Sequence, residues 1–249
     1  MAADVGAAVA RVIPLPVGRA IGAVQEQAAD VAKRLVPFGS WTVDDWGRDA
    51  TLVDAFVMAS RLRWSIVVGG DQRLPARNGA LIVVNARRLA LAPVLAALAL
   101  TDATGRPVRF VGRPDTAPLG ALARRLGGLL ARPDELTGAL RAGELVVLGS
   151  ASVIHPRRVG RVDHRLLAPS VATRTKVFPA AVATSPLGRG ARLEIGNDVR
   201  PDRRRRGPLA ELELADEVER RIQRLLGELG GTKTGTPLDW LPLSGMGGN

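Results

Sequence analysis

Five short runs of strand-forming residues recur between positions 64 and 182, and they leave this chain few folds. WSIVVG (64–69), LIVVN (81–85), VRFVG (108–112), ELVVL (144–148) and KVFPAAV (176–182) are separated by intervals with helical patterning near 90–100, 115–126 and 133–142. Strands that are apolar almost throughout suit a sheet covered on both faces, because a half-solvated sheet needs alternating polar residues. Strands alternating with helices argue for an α/β fold: a single domain whose largely parallel central sheet is covered by helices on both faces. The length of 249 residues suffices for one such domain with a substantial core. With four Phe, four Trp and no Tyr, that core has to be built from Leu, Val, Ile and Ala.

The flanks read differently. Residues 1–40 are expected to form an N-terminal amphipathic helical segment, residues 41–230 the α/β domain, and residues 231–249 a mobile tail rich in Gly and Pro. In the first segment Val17, Ile21, Val24, Ala28, Val31 and Leu35 recur at steps of three and four, which makes one helical stripe. The polar face around it is mixed in sign, favouring a helix packed on protein over one lying on a membrane. Asp49 is placed to cap a helix containing Leu52, Val53, Phe56 and Val57. A last long helix carries Val218, Ile222, Leu225, Leu226 and Leu229, with Pro208 in its first turn and Gly230-Gly231 as its stop. In the tail, Trp240-Leu241-Pro242-Leu243 is a second apolar element. The start MAADVGAAVARV lacks the basic lead of a secretory signal. The uncharged run 89–101 is well short of the about 20 residues a membrane span needs.

Several chemistries are excluded or disfavoured. Without cysteine there is no disulfide, thiolate metal site or cysteine nucleophile. The two histidines, His155 and His164, share a loop-like stretch with only Asp163 beside them, too few ligands for a metal centre. Ser150 and Ser152 follow a strand in GSAS, but the flanking glycines of a nucleophile elbow are missing. No phosphate-binding glycine loop is present. Net charge is +11, carried almost wholly by Arg, and it draws the chain toward anionic partners, although GC-rich coding produces the same bias. Its densest cluster, Arg203–Arg206, has no interleaved aromatics, which disfavours nucleic acid as a partner and favours an anionic lipid surface.

The order of these pieces resembles the glycerophospholipid acyltransferase family, in particular members that acylate lysophosphatidate from acyl-CoA. The likeness spans about residues 41–229. VDDWGRD (43–49) is similar to the lead-in of bacterial members, and 106–136 to the stretch carrying the second motif. LRAGELVVLGSAS (140–152) stands where the family has a strand followed by Phe-Pro-Glu-Gly-Thr. VFPAAV (177–182), with Pro179, resembles the fourth motif. LIVVN ends where the family places Asn-His-x-x-x-x-Asp. The resemblance implies a histidine general base held by an aspartate five residues on, and here those positions are Ala86 and Leu91. The Phe-Pro-Glu-Gly-Thr positions read Leu148, Gly149, Ser150, Ala151 and Ser152, so a substrate-contacting carboxylate is also gone.

What the resemblance implies is therefore an acyltransferase-like protein of glycerophospholipid metabolism with no catalytic pair. It would bind lipid, acyl-CoA or a partner enzyme, such as an active acyltransferase, at the inner face of the cytoplasmic membrane. Asn85, Arg87, Arg88, Arg132, Ser150 and Ser152 are its candidate substrate-binding residues. No cofactor or metal is expected, with acyl-CoA as a substrate or ligand. Two alternatives stand beside it: an active, atypical acyltransferase using Ser150, Ser152 or His155, and a basic module for nucleic acid or another polyanion. From charge and the two amphipathic elements, the protein is expected to float with anionic vesicles and to be released as salt rises. Equal flotation with neutral vesicles would refute the electrostatic part.

Overall fold

Runs of β-branched residues can pair on both edges only if neighbouring strands lie alongside, and here they do. The computed structural model describes residues 43–86, 91–115, 119–153, 158–184, 190–200 and 207–229. All of them fall in the unit 41–249. The 17–35 stripe, Arg87, Arg88, His155, the Arg203–Arg206 run and the tail lie outside the described residues.

The five apolar runs supply β1 (Ser65–Gly69), β2 (Ala80–Val84), β3 (Val108–Gly112), β5 (Leu145–Gly149) and β6 (Lys176–Thr184). Two further strands join them, β4 (Gly128–Leu130) and β7 (Gly190–Ile195). The sheet order is β1-β7-β6-β2-β5-β3-β4. From β6 to β4 every pairing is parallel. Strand β7 is antiparallel to β6 and parallel to β1, so these two run against the other five.

The helices are α1 (Ala50–Arg63), α2 (Ala92–Thr104), α3 (Gly120–Arg125), α4 (Pro133–Arg141), α5 (Ala168–Thr173) and α6 (Pro208–Glu228). One face of the sheet carries α1 and α2; the other carries α4 and α6, with α5 against α4. On that second face Leu81, Val83, Val146, Leu148 and Val177 form one core with Leu140 of α4 and with Val218 and Ile222 of α6. The start of α1 is capped as its sequence requires: Asp49 Oδ1 accepts a hydrogen bond from the Leu52 N–H at 3.1 Å. Pro208 occupies the first turn of α6, where its missing N–H is not needed.

One charged side chain sits among these strands. Arg109 of β3 is 1% exposed, and its guanidinium reaches Asp44 at 2.7 Å and Glu144 at 3.1 Å. The Trp46 ring lies over it, 5.7 Å from centroid to guanidinium carbon. Asp49 adds a 2.6 Å ion pair to Arg125, so the lead-in Val43–Asp49 is tied down at both ends. Burial works to raise the Asp44 carboxyl. The Arg109 hydrogen bond and the N–H groups of Arg48 and Trp46 outweigh it and hold the group below its ordinary value. A depressed folded-state value stabilises the protein above the unfolded value and is lost as pH falls through the folded one. The stability gap between wild type and Asp44→Asn should therefore be full above pH about 4 and close below it. Acid unfolding followed by circular dichroism measures this, and a gap independent of pH would refute it.

Candidate functional site

Strands β2 and β5 are neighbours at the centre of the parallel block, with Val84 level with Gly149. After β2 the chain turns to the face that carries α2; after β5 it turns to the face that carries α4 and α6. In open α/β sheets such a reversal leaves a crevice beyond the strand ends, the usual place for a ligand. The stretch singled out in the sequence, Asn85 to Leu91, begins at this reversal.

The residues there are closed on one another. Asn85 is buried; its Nδ2 donates to the Val182 carbonyl at 3.0 Å, and its Oδ1 accepts from the Val182 N–H at 2.7 Å. A primary amide carries both a donor and an acceptor, so this side chain extends the β2–β6 ladder one rung past the end of β2. Ala86 is 7% exposed. Its N–H donates to Ser150 Oγ at 3.1 Å, and its carbonyl accepts from the Val153 N–H at 3.3 Å. The Ser150 N–H donates to the Val84 carbonyl at 2.8 Å, and its hydroxyl to the Ala151 carbonyl at 3.3 Å. A Cβ on Gly149 would lie 2.8 Å from Pro93 Cγ, so the start of α2 packs directly on the end of β5. Leu91, exposed, precedes α2 and offers its open N–H groups no side-chain acceptor.

The sequence-derived candidates thus separate. Asn85, Ala86 and Ser150 meet at one point. Ser152 is exposed beside them. Arg132 is exposed at the start of α4, just past β4 and two strands from β5, about 10 Å away at the usual ~4.8 Å spacing. Two arginines that the sequence reading passed over share this end of the sheet. Arg113 follows β3, and Arg161 accepts the Ala151 N–H on its carbonyl at 2.7 Å. Both side chains are exposed, and neither they nor Arg132 form an ion pair among the described residues. An arginine directly after a predicted strand was the available signal for Arg113.

Chemically the junction offers hydrogen-bonded backbone and a committed serine hydroxyl, with no side chain at Ala86 or Leu91 that moves a proton. His164 lies elsewhere, in a 3-10 turn (His164–Leu166) capped by Asp163. Among the described residues no group of three or more His, Cys, Asp or Glu is placed to hold a metal.

No family model and no curated protein matches the chain. Among solved structures, it is similar to the crystal structure of the 1-acyl-sn-glycerophosphate acyltransferase PlsC from Thermotoga maritima, with TM-score 0.55 and 20% sequence identity. The match covers 72% of this chain and 81% of that one. The chain has an acyltransferase-like α/β fold.

Replacing Asn85 by Ala would strand the buried Val182 N–H and carbonyl, at a cost of about 1–3 kcal/mol for each unpaired group. Urea unfolding of Asn85→Ala should show a loss of about that size, and a near-neutral effect would show that Asn85 is not a rung of the sheet.

Proposed function

We propose that this protein is an acyltransferase-like member of glycerophospholipid metabolism that binds a phosphate-bearing lipid or acyl-CoA without transferring the acyl group. One observation carries the reading: at the reversal between β2 and β5, Ala86 and its neighbours satisfy each other's hydrogen bonds and present no base. Loss of a general base alone removes about 10²–10⁴ in rate. Here the orienting carboxylate is absent as well, since Leu91 stands in its place. The atypical-enzyme alternative finds no support at Ser150, whose oxygen accepts from Ala86 and whose proton is directed at Ala151.

The choice of ligand rests on charge and fold together. Exposed Arg113, Arg132 and Arg161 ring the same end of the sheet, where a phosphate would meet them. The PlsC neighbour is an acyltransferase of a 1-acyl-sn-glycerophosphate, a ligand of this charge class. No helix among the described residues is long and apolar enough to cross a membrane, so contact with the inner face of the cytoplasmic membrane would be peripheral. There each basic residue near an anionic surface contributes about 1 kcal/mol. An active acyltransferase is the natural protein partner for such a binder.

Purified protein, given acyl-CoA and a panel of lysophospholipids, should release CoA no faster than buffer. The double variant Ala86→His, Leu91→Asp should regain at most weak transfer. An imidazole at position 86 has to be accommodated at a buried point, and Ser150 and Ala151 still replace the third motif's carboxylate region. Robust wild-type turnover that survives alteration of residues 81–93 would overturn both the reading and the placement of the site.

A further inference from the structure

A sheet has two edges, and each presents a row of backbone N–H and carbonyl groups with no strand beyond it. The two edges of this sheet differ. Strand β4 is three residues long, with Gly128 and Leu129 buried. Strand β1, at the opposite edge, is five residues long, and among the described residues only β7 pairs with it. Its sequence, SIVVG, has no charge and no proline, and its register with β7 has no bulge, so the usual protections of an open edge are missing. Val67, at its middle, is 55% exposed. The last two turns of α1, which lead into β1 through the buried Trp64, leave Met58 66% and Leu62 74% exposed.

This strand fits a copy of itself. Set antiparallel about a two-fold axis through Val67, it places Ser65 opposite Gly69, Ile66 opposite Val68, and Val67 opposite its own counterpart. Directly opposed residues have Cβ atoms about 5 Å apart, which brings the two exposed Val67 side chains into contact. Charge decides where a chain of net +11 can meet its copy, because like charges brought together at an interface oppose association. All five positions of β1 are uncharged. Beside the strand, Arg61 is paired with Asp102 and Arg73 with Glu194. Arg192, level with Val67 on β7, would lie three strand spacings from its counterpart. That is about 14 Å, beyond the Debye length of about 8 Å at physiological salt.

We propose that the β1 edge is a homodimer interface, where two copies pair their β1 strands antiparallel about Val67 and join two sheets into one. Strands β7 and β6 separate this edge from β2, so the pairing does not depend on what the β2–β5 junction binds.

Sedimentation velocity of the full-length protein should show a dimer whose share grows with concentration. Over the same range the amides of Ser65–Gly69 should gain protection from hydrogen exchange, while those of Gly128–Leu130 should not. Val67→Lys and Val67→Glu should each weaken dimerisation by about tenfold or more, since each sets like charges opposite one another. An equimolar mixture of the two variants should restore it. Leu209→Lys, at a 60% exposed position on α6, should dimerise as the wild type does. Should the Val67 variants fail to fold, the concentration dependence of exchange in the wild type decides alone. A wild type that stays monomeric overturns the proposal, as does a dimer that both Val67 variants leave intact. A mixture of the two variants that remains monomeric overturns the axis through Val67. A monomeric wild type that floats with neutral phosphatidylcholine vesicles, and no longer does so as Val67→Lys, assigns the edge to lipid instead.

Discussion

Parallel strands that diverge leave backbone groups with no next rung, and the structure depends on how the end of β2 meets that constraint. Strand β2 is fully buried between β5 and β6, so an unpaired N–H or carbonyl at its end would have no water to turn to. Asn85 satisfies the β6 side with its amide, and Ser150 satisfies the β5 side with its hydroxyl. Both are polar residues at the very point where a ligand site is expected, and both are consumed by the sheet. Beyond them Ala86 is buried, and a Cβ on Gly149 would meet Pro93 at the start of α2.

Much of this fold could be read from the sequence, and the exceptions have physical reasons. Fully buried strands such as β2 announce themselves because every position is apolar. Strand β4 is only three residues, and β7 alternates buried Ala191, Leu193 and Ile195 with Arg192 and Glu194. Neither builds an apolar run, so both were invisible to a search for such runs. The reversed direction of β1 and β7 is set by tertiary pairing, with no local residue to signal it. The Asp49 cap was legible because its partner, the Leu52 N–H, is three residues away. The burial of Arg109 was not, because its partners Asp44 and Glu144 lie far from it along the chain.

The site divides along the same line. The secondary structure around the proposed site could be read: a strand ends at Val84 and a helix starts at Ala92, as the apolar runs on either side of Asn85–Leu91 imply. Role could not. An asparagine or serine at a strand end looks the same in sequence whether it faces a ligand or a neighbouring backbone. Only the pairing of Asn85 with Val182, 97 residues on, and of Ser150 with Ala86, 64 residues back, distinguishes them. The same limit applies to Gly160, whose significance depends entirely on Ala151 lying against it.

The arginines show how one residue type serves two ends of the sheet. Arg109 and Arg113 are four positions apart around β3, yet Arg109 is buried between two carboxylates and Arg113 is exposed past the strand end with no ion-pair partner among the described residues. A buried cation is tolerable only when paired, and here one nitrogen, Nη2, meets both carboxylates while Nε and Nη1 are buried without a hydrogen-bond partner. At the start of β3 that requirement ties the lead-in strap to the sheet. At the end of β3 nothing in the described structure neutralises Arg113, and Arg132 and Arg161 stand near it in the same condition. Surface arginines retain their hydration and stay available to an anion, and Arg77, Arg141 and Arg174 at the opposite end of the sheet are exposed in the same way. One residue type thus serves as a buried structural cation at one end of β3 and as a solvated surface charge at the other.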